Sequence, residues 1–260
     1  DVRTRVALSQ CIDRAEIQSI MNGESGALSS TYINVEHPAA LDDLEPLSYD
    51  PEAGKALLKQ VGWVLDEDGP DSPRVAYGVP GIRTATPFSV ALLAPDRAEF
   101  LEVAAVVEAG LEECGVDVQV QNIPPGLLSE PWPDGPVFGR QFDLVIWSWP
   151  EWISPLCEMF ASWEIPSSGQ PFGINATGYA SEEYDAACQQ LFVSISGMPG
   201  YREALEETQR LFAEDLPAVA LYQPLRWTVS DSETCGIDID GVATSILWNI
   251  EMLDSGDSCP

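Results

Sequence analysis

The sequence is poor in the residues that most catalytic and metal sites require. Among its 260 residues His37 is the only histidine, so no multi-histidine metal site can form within the chain. A Ser-His-Asp triad would have to use this one residue, which lies in a polar stretch containing proline. The phosphate loop GxxxxGK[ST], the dinucleotide motif GxGxxG and the metalloprotease motif HExxH are missing. We therefore expect no metal site, no cofactor and none of the common nucleotide or zinc-hydrolase chemistries.

Positive charge is also scarce. Lys and Arg together number 12 against 42 Asp and Glu, which gives a formal net charge of −30. Such a chain repels phosphate groups, so we expect no nucleic-acid partner. No uncharged apolar run approaches the roughly 18 residues that a membrane helix needs. No signal-peptide pattern opens the sequence, and we expect any leader to be absent or removed.

Six cysteines are present, and the shortest separation between neighbours is 24 residues, which excludes a CxxC redox or zinc pair. They are Cys11, Cys114, Cys157, Cys188, Cys235 and Cys259. An even number fits an exported protein with one to three disulfides, whereas free buried thiols would fit a cytosolic one. The sequence does not choose among the pairings, although Cys235 and Cys259 bracket an acidic segment that a disulfide could close.

Hydrophobic periodicity and capping residues predict an α/β fold. The helix, glycine and strand succession across residues 96–120 is typical of an α/β unit. Helices are predicted over residues 1–22, 51–61, 96–114, 181–195 and 201–215. Strands are predicted over residues 75–79, 116–120, 142–149, 218–222 and 246–250, with loops over 23–49, 80–95 and 122–140.

Tryptophans gather at the end of the predicted strand 142–149. Four of the eight in the chain fall between residues 147 and 163, and Trp149 and Trp152 flank Glu151. In open α/β sheets, ligands bind beyond the carboxyl ends of strands, and a tryptophan there offers a flat apolar wall. A carboxylate between aromatic rings favours a cationic partner. Alternatively, these tryptophans belong to the core and Glu151 is a solvated loop charge.

Two further segments offer polar groups. NATGY at 175–179 either presents amide and hydroxyl groups to a ligand or is a simple turn, and Asn175 also begins a glycosylation sequon. YQPLRW at 222–227 follows the last predicted strand. Its Arg226 either neutralises a carboxylate of the ligand or pairs with a neighbouring acid.

Six segments, in order, resemble a known family. They are DVRTRVALSQCIDRAEI (1–17), YDPEAGKALLKQVGW (49–63), EAGLEECGVDVQV (108–120), FDLVIWSW (142–149), NATGYASEEYDAACQQL (175–191) and YREALEETQRLFAEDLPAVALY (201–222). Each is similar to a motif in the second lobe of the family 5 extracellular solute-binding proteins, the peptide, nickel and oligosaccharide receptors of ABC importers. Each segment is weak alone, but six in the right order are jointly specific.

The resemblance implies a fold and a domain organisation. We expect an α/β, periplasmic-binding-protein-like (type II) lobe with a mixed sheet flanked by helices. Residues 1–224 would form the second lobe, and residues 225–260 would be the segment that returns toward the first lobe. Because family members carry a first lobe before this region, the chain resembles an isolated C-terminal lobe.

The resemblance also implies a function. The receptor would capture an extracellular solute, most simply an oligopeptide, by hinge closure, and then dock on an ABC permease without breaking a bond, so it would not be an enzyme. We expect a monomer outside the cytoplasm, either periplasmic, extracellular or a cell-surface lipoprotein. The side chains expected to face the solute are Trp149, Glu151 and Trp152, with Asn175, Tyr222, Arg226 and Trp227 behind them.

One departure from the family pattern bears on the solute. Many peptide-binding members have an acidic residue after this strand that holds the α-amino group, followed by an Asp-Pro pair. Glu151 falls at the first acid, but Ser154-Pro155 replaces the pair. The alternatives are a hydrolase that uses paired carboxylates such as Glu151 and Glu158, and a sensor or adhesin lobe that binds a protein partner.

Overall fold

The chain adopts an α/β fold, which confirms the predicted class. A computed structural model describes residues 1–23, 26–65, 72–149, 155–225, 228–238, 240, 245 and 247–256. The helices are α1 (Val2–Gln10), α2 (Arg14–Asn22), α3 (Pro51–Val61), α4 (Ala98–Glu113), α5 (Pro125–Leu128), α6 (Glu182–Val193) and α7 (Pro199–Asp215). The strands are β1 (Trp63–Val64), β2 (Val75–Ala76), β3 (Ser89–Pro95), β4 (Asp117–Ile123), β5 (Leu144–Val145), β6 (Thr234–Cys235) and β7 (Asp254–Ser255).

A three-stranded parallel sheet in the order β4-β3-β5 lies at the centre. The middle strand β3 pairs with β4 along its whole length and with β5 over two residues. Two separate antiparallel pairs, β1-β2 and β6-β7, complete the described sheets. Because the three central strands run in one direction, their carboxyl ends meet at one edge, and the loops that follow β4 and β5 start there.

Strand β3 is buried on both faces. Val90, Leu92 and Ala94 point into the main apolar core, whereas Leu93 points into a smaller cluster on the opposite face. This alternation follows from the two-residue period of a strand. A strand covered on both sides reads as a continuous apolar run, and SVALLAP is such a run.

Helix α4 covers one face of the sheet. It buries Val103, Ala104, Val107 and Leu111, which recur at three- and four-residue spacing. Gly115 follows with φ of 84°, and its amide donates to the carbonyl of Glu112, so the chain turns directly into β4. The predicted succession of helix, glycine and strand is therefore confirmed.

A disulfide joins the ends of two helices in the main core. Cys11 at the end of α1 is bonded to Cys114 at the end of α4, across 103 residues of sequence. Gly110 allows this close approach, because a Cβ there would collide with the carbonyl oxygen of Cys11. Cross-linking a loop of this length removes about 4.7 kcal/mol of unfolded-state entropy in the chain-entropy model.

Helices α6 and α7 enclose a second apolar core. Tyr184 and Phe212 are buried at its centre, and the Tyr184 hydroxyl donates to the carbonyl of Cys157 over 3.0 Å. Cys157 forms the second disulfide with Cys188 of α6. Cys235 is also disulfide-bonded.

Two buried arginines tie distant segments together. Arg14, 5% exposed, donates to the carbonyl oxygens of Ser29, Leu47 and Ala220. Arg74, 4% exposed, donates to the carbonyls of Cys114 and Trp63 in the same way. Burial lowers the pKa of both guanidinium groups. Bonds to several carbonyls satisfy these groups without a carboxylate partner.

The predicted helix over residues 1–22 is wrong in one respect, since two helices replace it. The break occurs at Cys11-Ile12-Asp13, where Asp13 becomes the N-cap of α2 and accepts from the amide of Glu16 at 2.9 Å. Asp followed three residues later by Glu is a helix-start signature, and it outweighs the continuous apolar pattern.

The strand predictions were less accurate. The predicted loop over 80–95 is wrong because it contains β3, the central strand. The predicted strand over 142–149 shortens to Leu144–Val145, and the one over 75–79 shortens to Val75–Ala76.

Two predicted strands near the C-terminus are wrong. Residues 218–222 form none, and the carbonyl of Ala220 accepts from Arg14 instead of a neighbouring strand. Of the predicted strand 246–250, residue 246 lies outside the described residues. The rest forms a turn and the start of the 3-10 helix Ile250–Met252.

Across the described ranges, no helix combines the length and the hydrophobicity that crossing a bilayer would require.

Candidate functional site

The candidate site lies at the carboxyl edge of the parallel sheet. The loop over residues 124–141 leaves β4 at this edge, and residues 146–149 leave β5 beside it. Open α/β sheets bind ligands at such an edge because adjacent loops diverge there and leave a crevice. Trp147 and Trp149 lie just beyond β5, as predicted for Trp149, whereas Trp152 lies outside the described residues.

Three aromatic rings form a cluster at this edge. The ring centroids of Trp147 and Trp149 are 5.8 Å apart, and Phe138 lies 5.9 Å from Trp147 and 6.1 Å from Trp149. All three pairs are edge-to-face, the arrangement that the aromatic quadrupole favours. We call Phe138, Trp147 and Trp149 the aromatic cluster. Trp149 is half-buried in it, so part of its surface remains available.

The aromatic cluster contains an indole donor without an acceptor. Nε1 of Trp147 is buried and has no hydrogen-bond partner in the part of the chain that the structure describes. Leaving a buried donor unsatisfied costs about 1–3 kcal/mol. The aromatic cluster therefore contains a buried, unsatisfied N–H group in addition to its flat apolar rings.

Asn175 holds the neighbouring loop in place. Its side-chain amide donates to the carbonyls of Ala161 and Tyr179, both over 2.9 Å. Its carbonyl oxygen accepts from the Thr177 hydroxyl at 2.8 Å and from the Gly178 amide at 3.0 Å. Asn175 is fully buried, so its nitrogen is inaccessible to a glycosyltransferase in the folded chain. Its polar atoms are committed within the protein, and Asn175 acts on the site by fixing the loop.

The same loop is anchored to α7 and α1. The Tyr179 hydroxyl donates to the Asp215 carboxylate over 2.5 Å, and Nε of Arg5 donates to the Asp215 carbonyl over 2.8 Å. Burial, and then the bond to Asp215, raises the pKa of Tyr179, which therefore stays protonated at neutral pH. Tyr179 is thus joined to the end of α7, which Arg5 in turn joins to α1.

Tyr222 belongs to a different part of the structure. It packs against the core beneath α4, and burial raises its pKa, with a smaller contribution from Glu99. The aromatic cluster packs instead against the two other apolar clusters. Among the predicted site residues, the structure brings Trp149 and the Asn175 loop to the sheet edge, but Tyr222 lies on the α4 side.

Four predicted site residues, Glu151, Trp152, Arg226 and Trp227, lie outside the described residues. Sequence reasoning missed Phe138 as a member of the site, because it lies in a loop rich in proline and glycine. An aromatic residue in a loop that leaves a parallel strand was the signal that could have identified it.

The described residues hold one group with the composition of a metal site, Cys157, Glu158 and Cys188. Both cysteines are joined in a disulfide, so neither sulfur is a thiolate that could bind a metal. The group is therefore a disulfide with a neighbouring acid.

A surface cavity of about 370 Å³ lies between α2 and α4, where Asp13, Glu16, Tyr49 and Glu113 contribute to its wall. It is remote from the sheet edge in the fold. Its acidic rim makes it a solvated part of a very acidic surface.

Comparison with protein families gives one match. The model of bacterial extracellular solute-binding proteins, family 5 (Middle), matches residues 1–170, which is more than half of the chain. No curated protein matches the chain.

Solved structures share the fold. The oligopeptide-binding protein AppA from Bacillus subtilis, in complex with a nonapeptide, has a TM-score of 0.76 at 22% identity. The match covers 99% of this chain and 48% of that one. The oligopeptide-binding protein from Thermus thermophilus, complexed with a pentapeptide, has a TM-score of 0.73 at 19% identity and covers 85% and 37%.

NikZ from Campylobacter jejuni, in complex with Ni(L-His), has a TM-score of 0.73 at 17% identity and covers 98% and 49%. At such identities the likeness establishes the fold alone. The chain spans between 37% and 49% of the length of these three proteins.

Proposed function

Because this chain belongs to the bacterial extracellular solute-binding proteins of family 5, we propose that it is the second lobe of a receptor that captures an oligopeptide. The solute lies between this lobe and a first lobe, and its contacts with both stabilise the closed state. The closed receptor then docks on an ABC permease. No bond is made or broken, so the proposed receptor is not an enzyme.

The aromatic cluster at the carboxyl edge of the sheet is the observation that carries this proposal. Trp149 is half-buried, and its contacts with Phe138 and Trp147 hold its ring in one orientation. A ring that is already ordered loses little entropy when a ligand stacks on it. Flat apolar surface of this kind suits peptides, whose side chains differ but whose backbone is regular.

The remaining site residues have proposed roles that follow from their chemistry. Glu151, two residues after Trp149, accepts hydrogen bonds from the α-amino group of the peptide, and Trp152 adds a second wall. Arg226 and Trp227 contact the solute from the segment after residue 222. Tyr222 supports that segment from the α4 side. Asn175 keeps the adjacent loop in position.

Two neighbouring structures in complex with peptides support an oligopeptide as the solute. The Campylobacter protein in complex with Ni(L-His) supports a competing class, a metal chelate. Peptide is favoured here because the aromatic cluster supplies flat apolar rings against which peptide side chains can pack.

The proposed location is outside the cytoplasm, in the periplasm or as a lipoprotein at the cell surface. The disulfides Cys11–Cys114 and Cys157–Cys188 support it, since such bonds persist in oxidising compartments. Residues 225–260 are proposed to return toward the first lobe, and the receptor is proposed to act as a monomer.

The test is native mass spectrometry of the full-length gene product, as purified and after denaturation and refolding. A released mass that belongs to a peptide supports the proposal. If the apo protein stays unshifted with pooled peptides of three to nine residues and with Ni(L-His), the proposal is wrong. Cleavage of the pooled peptides during the incubation would instead favour a hydrolase.

Two variants localise the bound solute. Trp149→Ala should weaken peptide binding by roughly 30-fold, since truncation of a central aromatic anchor costs about 2 kcal/mol or more. Tyr77→Ala, which removes an aromatic side chain that is 72% exposed elsewhere, is the matched control and should bind normally. Glu151→Gln should weaken binding of free peptides but not of N-acetylated ones, with Glu203→Gln as the control.

A further inference from the structure

The loop that leaves β4 presents an arginine beside the aromatic cluster. Arg140 lies two residues after Phe138, and its side chain is exposed. Its guanidinium group lies against the backbone of Gly178, where a Cβ would collide with it. Arg140 is therefore close both to the aromatic cluster and to the loop that Asn175 fixes.

The guanidinium group of Arg140 has no partner among the described residues. Ion pairs occupy Arg3, Lys55, Arg97 and Arg210, whereas Arg140 forms neither an ion pair nor a side-chain hydrogen bond with any residue that the structure describes. Arg202 is likewise exposed and without an ion pair among the described residues, so what distinguishes Arg140 is its position beside the aromatic cluster. Within the described part of the chain, none of its five N–H donors has an acceptor.

The backbone holds Arg140 in an uncommon conformation. Its φ is 54°, in the left-handed region that non-glycine residues seldom adopt. The Arg140 amide donates to the carbonyl of Val137 over 3.1 Å, and the amide of Gln141 donates to Pro136 over 2.9 Å. Gly139 approaches the backbone so closely that a Cβ would collide with the carbonyl of Pro133. Strain that is maintained by so many contacts is typical of functional positions.

We propose that Arg140 binds a carboxylate of the captured solute at the edge of the aromatic cluster, and this inference rests on the proposed function. A guanidinium group matches a carboxylate with two parallel N–H···O bonds. An exposed ion pair contributes little in water, but closure of the first lobe over the solute removes that water. The site therefore selects solutes that carry a negative group.

The carboxylate has two chemical sources, the C-terminus of a peptide and an acidic side chain. The probes are a pool of pentapeptides with free C-termini, the same pool with C-terminal amides, and a pool without Asp and Glu. Calorimetry on the full-length gene product measures their affinities for the wild type, Arg140→Gln and Arg140→Lys. Arg202→Gln, which also removes one unpaired exposed arginine, is the matched control.

Arg140→Gln should weaken binding of the carboxylate-bearing pool about tenfold or more, the loss expected for a hydrogen-bonded charge. Arg140→Lys should weaken binding less than Arg140→Gln does, because lysine keeps the positive charge but lacks the two parallel N–H donors of a guanidinium group. If the C-terminus is the source, amidated peptides bind wild type and Arg140→Gln equally. If an acidic side chain is the source, the pool without Asp and Glu binds wild type and Arg140→Gln equally.

Each failure is distinguishable. If the wild type binds peptides and Arg140→Gln binds every pool as Arg202→Gln does, the Arg140 inference is wrong and the receptor proposal stands. If the wild type binds no pool, both are wrong. A loss in Arg140→Gln that is equal for every pool contradicts carboxylate recognition, and thermal melting identifies a variant that is merely unfolded.

Discussion

Replacing Asn175 with alanine removes four hydrogen bonds from the loop beside the aromatic cluster. Two are donated to the carbonyls of Ala161 and Tyr179, and two are accepted from Thr177 and Gly178. Asn175 is fully buried, so water has little access to the backbone and side-chain groups that lose their hydrogen-bond partner. At about 1 kcal/mol net for each bond, the variant should lose roughly 4 kcal/mol of unfolding free energy.

Asn175→Asp tests the two hydrogen bonds that Asn175 donates separately from the two that it accepts. It keeps the oxygen that accepts from Thr177 and Gly178 but directs a second carboxylate oxygen at two carbonyls. Its loss should therefore equal or exceed that of Asn175→Ala. Asn122→Ala, at an exposed position of β4, should cost less than about 0.5 kcal/mol and is the control.

Urea denaturation of the full-length gene product measures these differences, and thermal melting should show a shift of roughly 10 °C for Asn175→Ala. Peptide affinity, measured where the variant is still folded, should change little. A loss below about 1 kcal/mol would show that the loop is not held by these bonds. A specific loss of affinity with normal stability would instead restore Asn175 as a residue that contacts the solute.

Three other predictions concern separate features. Replacing Cys11 and Cys114 together with alanine should cost about 4.7 kcal/mol in urea denaturation, because the bond closes a loop of 103 residues. Wild type and variant should have equal midpoints when both are fully reduced, since reduction also breaks the Cys157–Cys188 bond. Burial raises the pKa of Tyr32 to about 12, above the ordinary 10. The contribution of Tyr32 to the free energy of unfolding is therefore constant below pH 10. Between pH 10 and 12 the tyrosine ionises in the unfolded state but not in the folded state, so the protein loses stability. Melting at pH 8 and 11 should show this loss in wild type and a smaller one in Tyr32→Phe. Gly178→Ala should displace the guanidinium group of Arg140 and strain a φ of 67°, so peptide affinity should fall as it does in Arg140→Gln.

Helix boundaries were predictable where local chemistry decides them. Asp50 accepts from the Ala53 amide at 2.9 Å, Pro51 occupies the first helical position, and Gly62 ends α3 with φ of 115°. Each of these residues acts within one turn of the helix, so no distant part of the chain is needed. The same holds for Ser181, which caps α6 through the amide of Tyr184.

Strand β3 was missed because its pattern is set by distant partners. Buried on both faces, its apolar residues show no alternation, and Pro87 and Pro95 near its two ends suggested a loop. What makes it a strand is its parallel pairing with β4 and β5, and neither pairing is visible locally. Residues 218–222 show the reverse. Their apolar pattern resembles a strand, but the carbonyl of Ala220 accepts a hydrogen bond from Arg14 and not from a neighbouring strand.

The place of the aromatic cluster was predictable from the sequence, but its composition was not. Tryptophan after a strand end indicated the sheet edge, and Trp149 lies there. That Phe138 completes the cluster depends on how the loop after β4 folds back, which sequence spacing does not reveal. Asn175 is a polar residue of the kind that binds ligands, but both its amide nitrogen and its carbonyl oxygen are hydrogen-bonded within the protein.

Long-range contacts tie the described chain together. Arg14 bonds to Ala220, and Asn22 exchanges hydrogen bonds with Gln223 and Leu225, so α2 holds the segment that leads out of the described fold. The Cys11–Cys114 disulfide fixes α1, which precedes α2, to the central helix. Motion between lobes is therefore expected in the connecting segments and not within the sheet. Under the proposed function, the solute then has to supply only the free energy that biases closure, through its contacts at the carboxyl edge of the sheet.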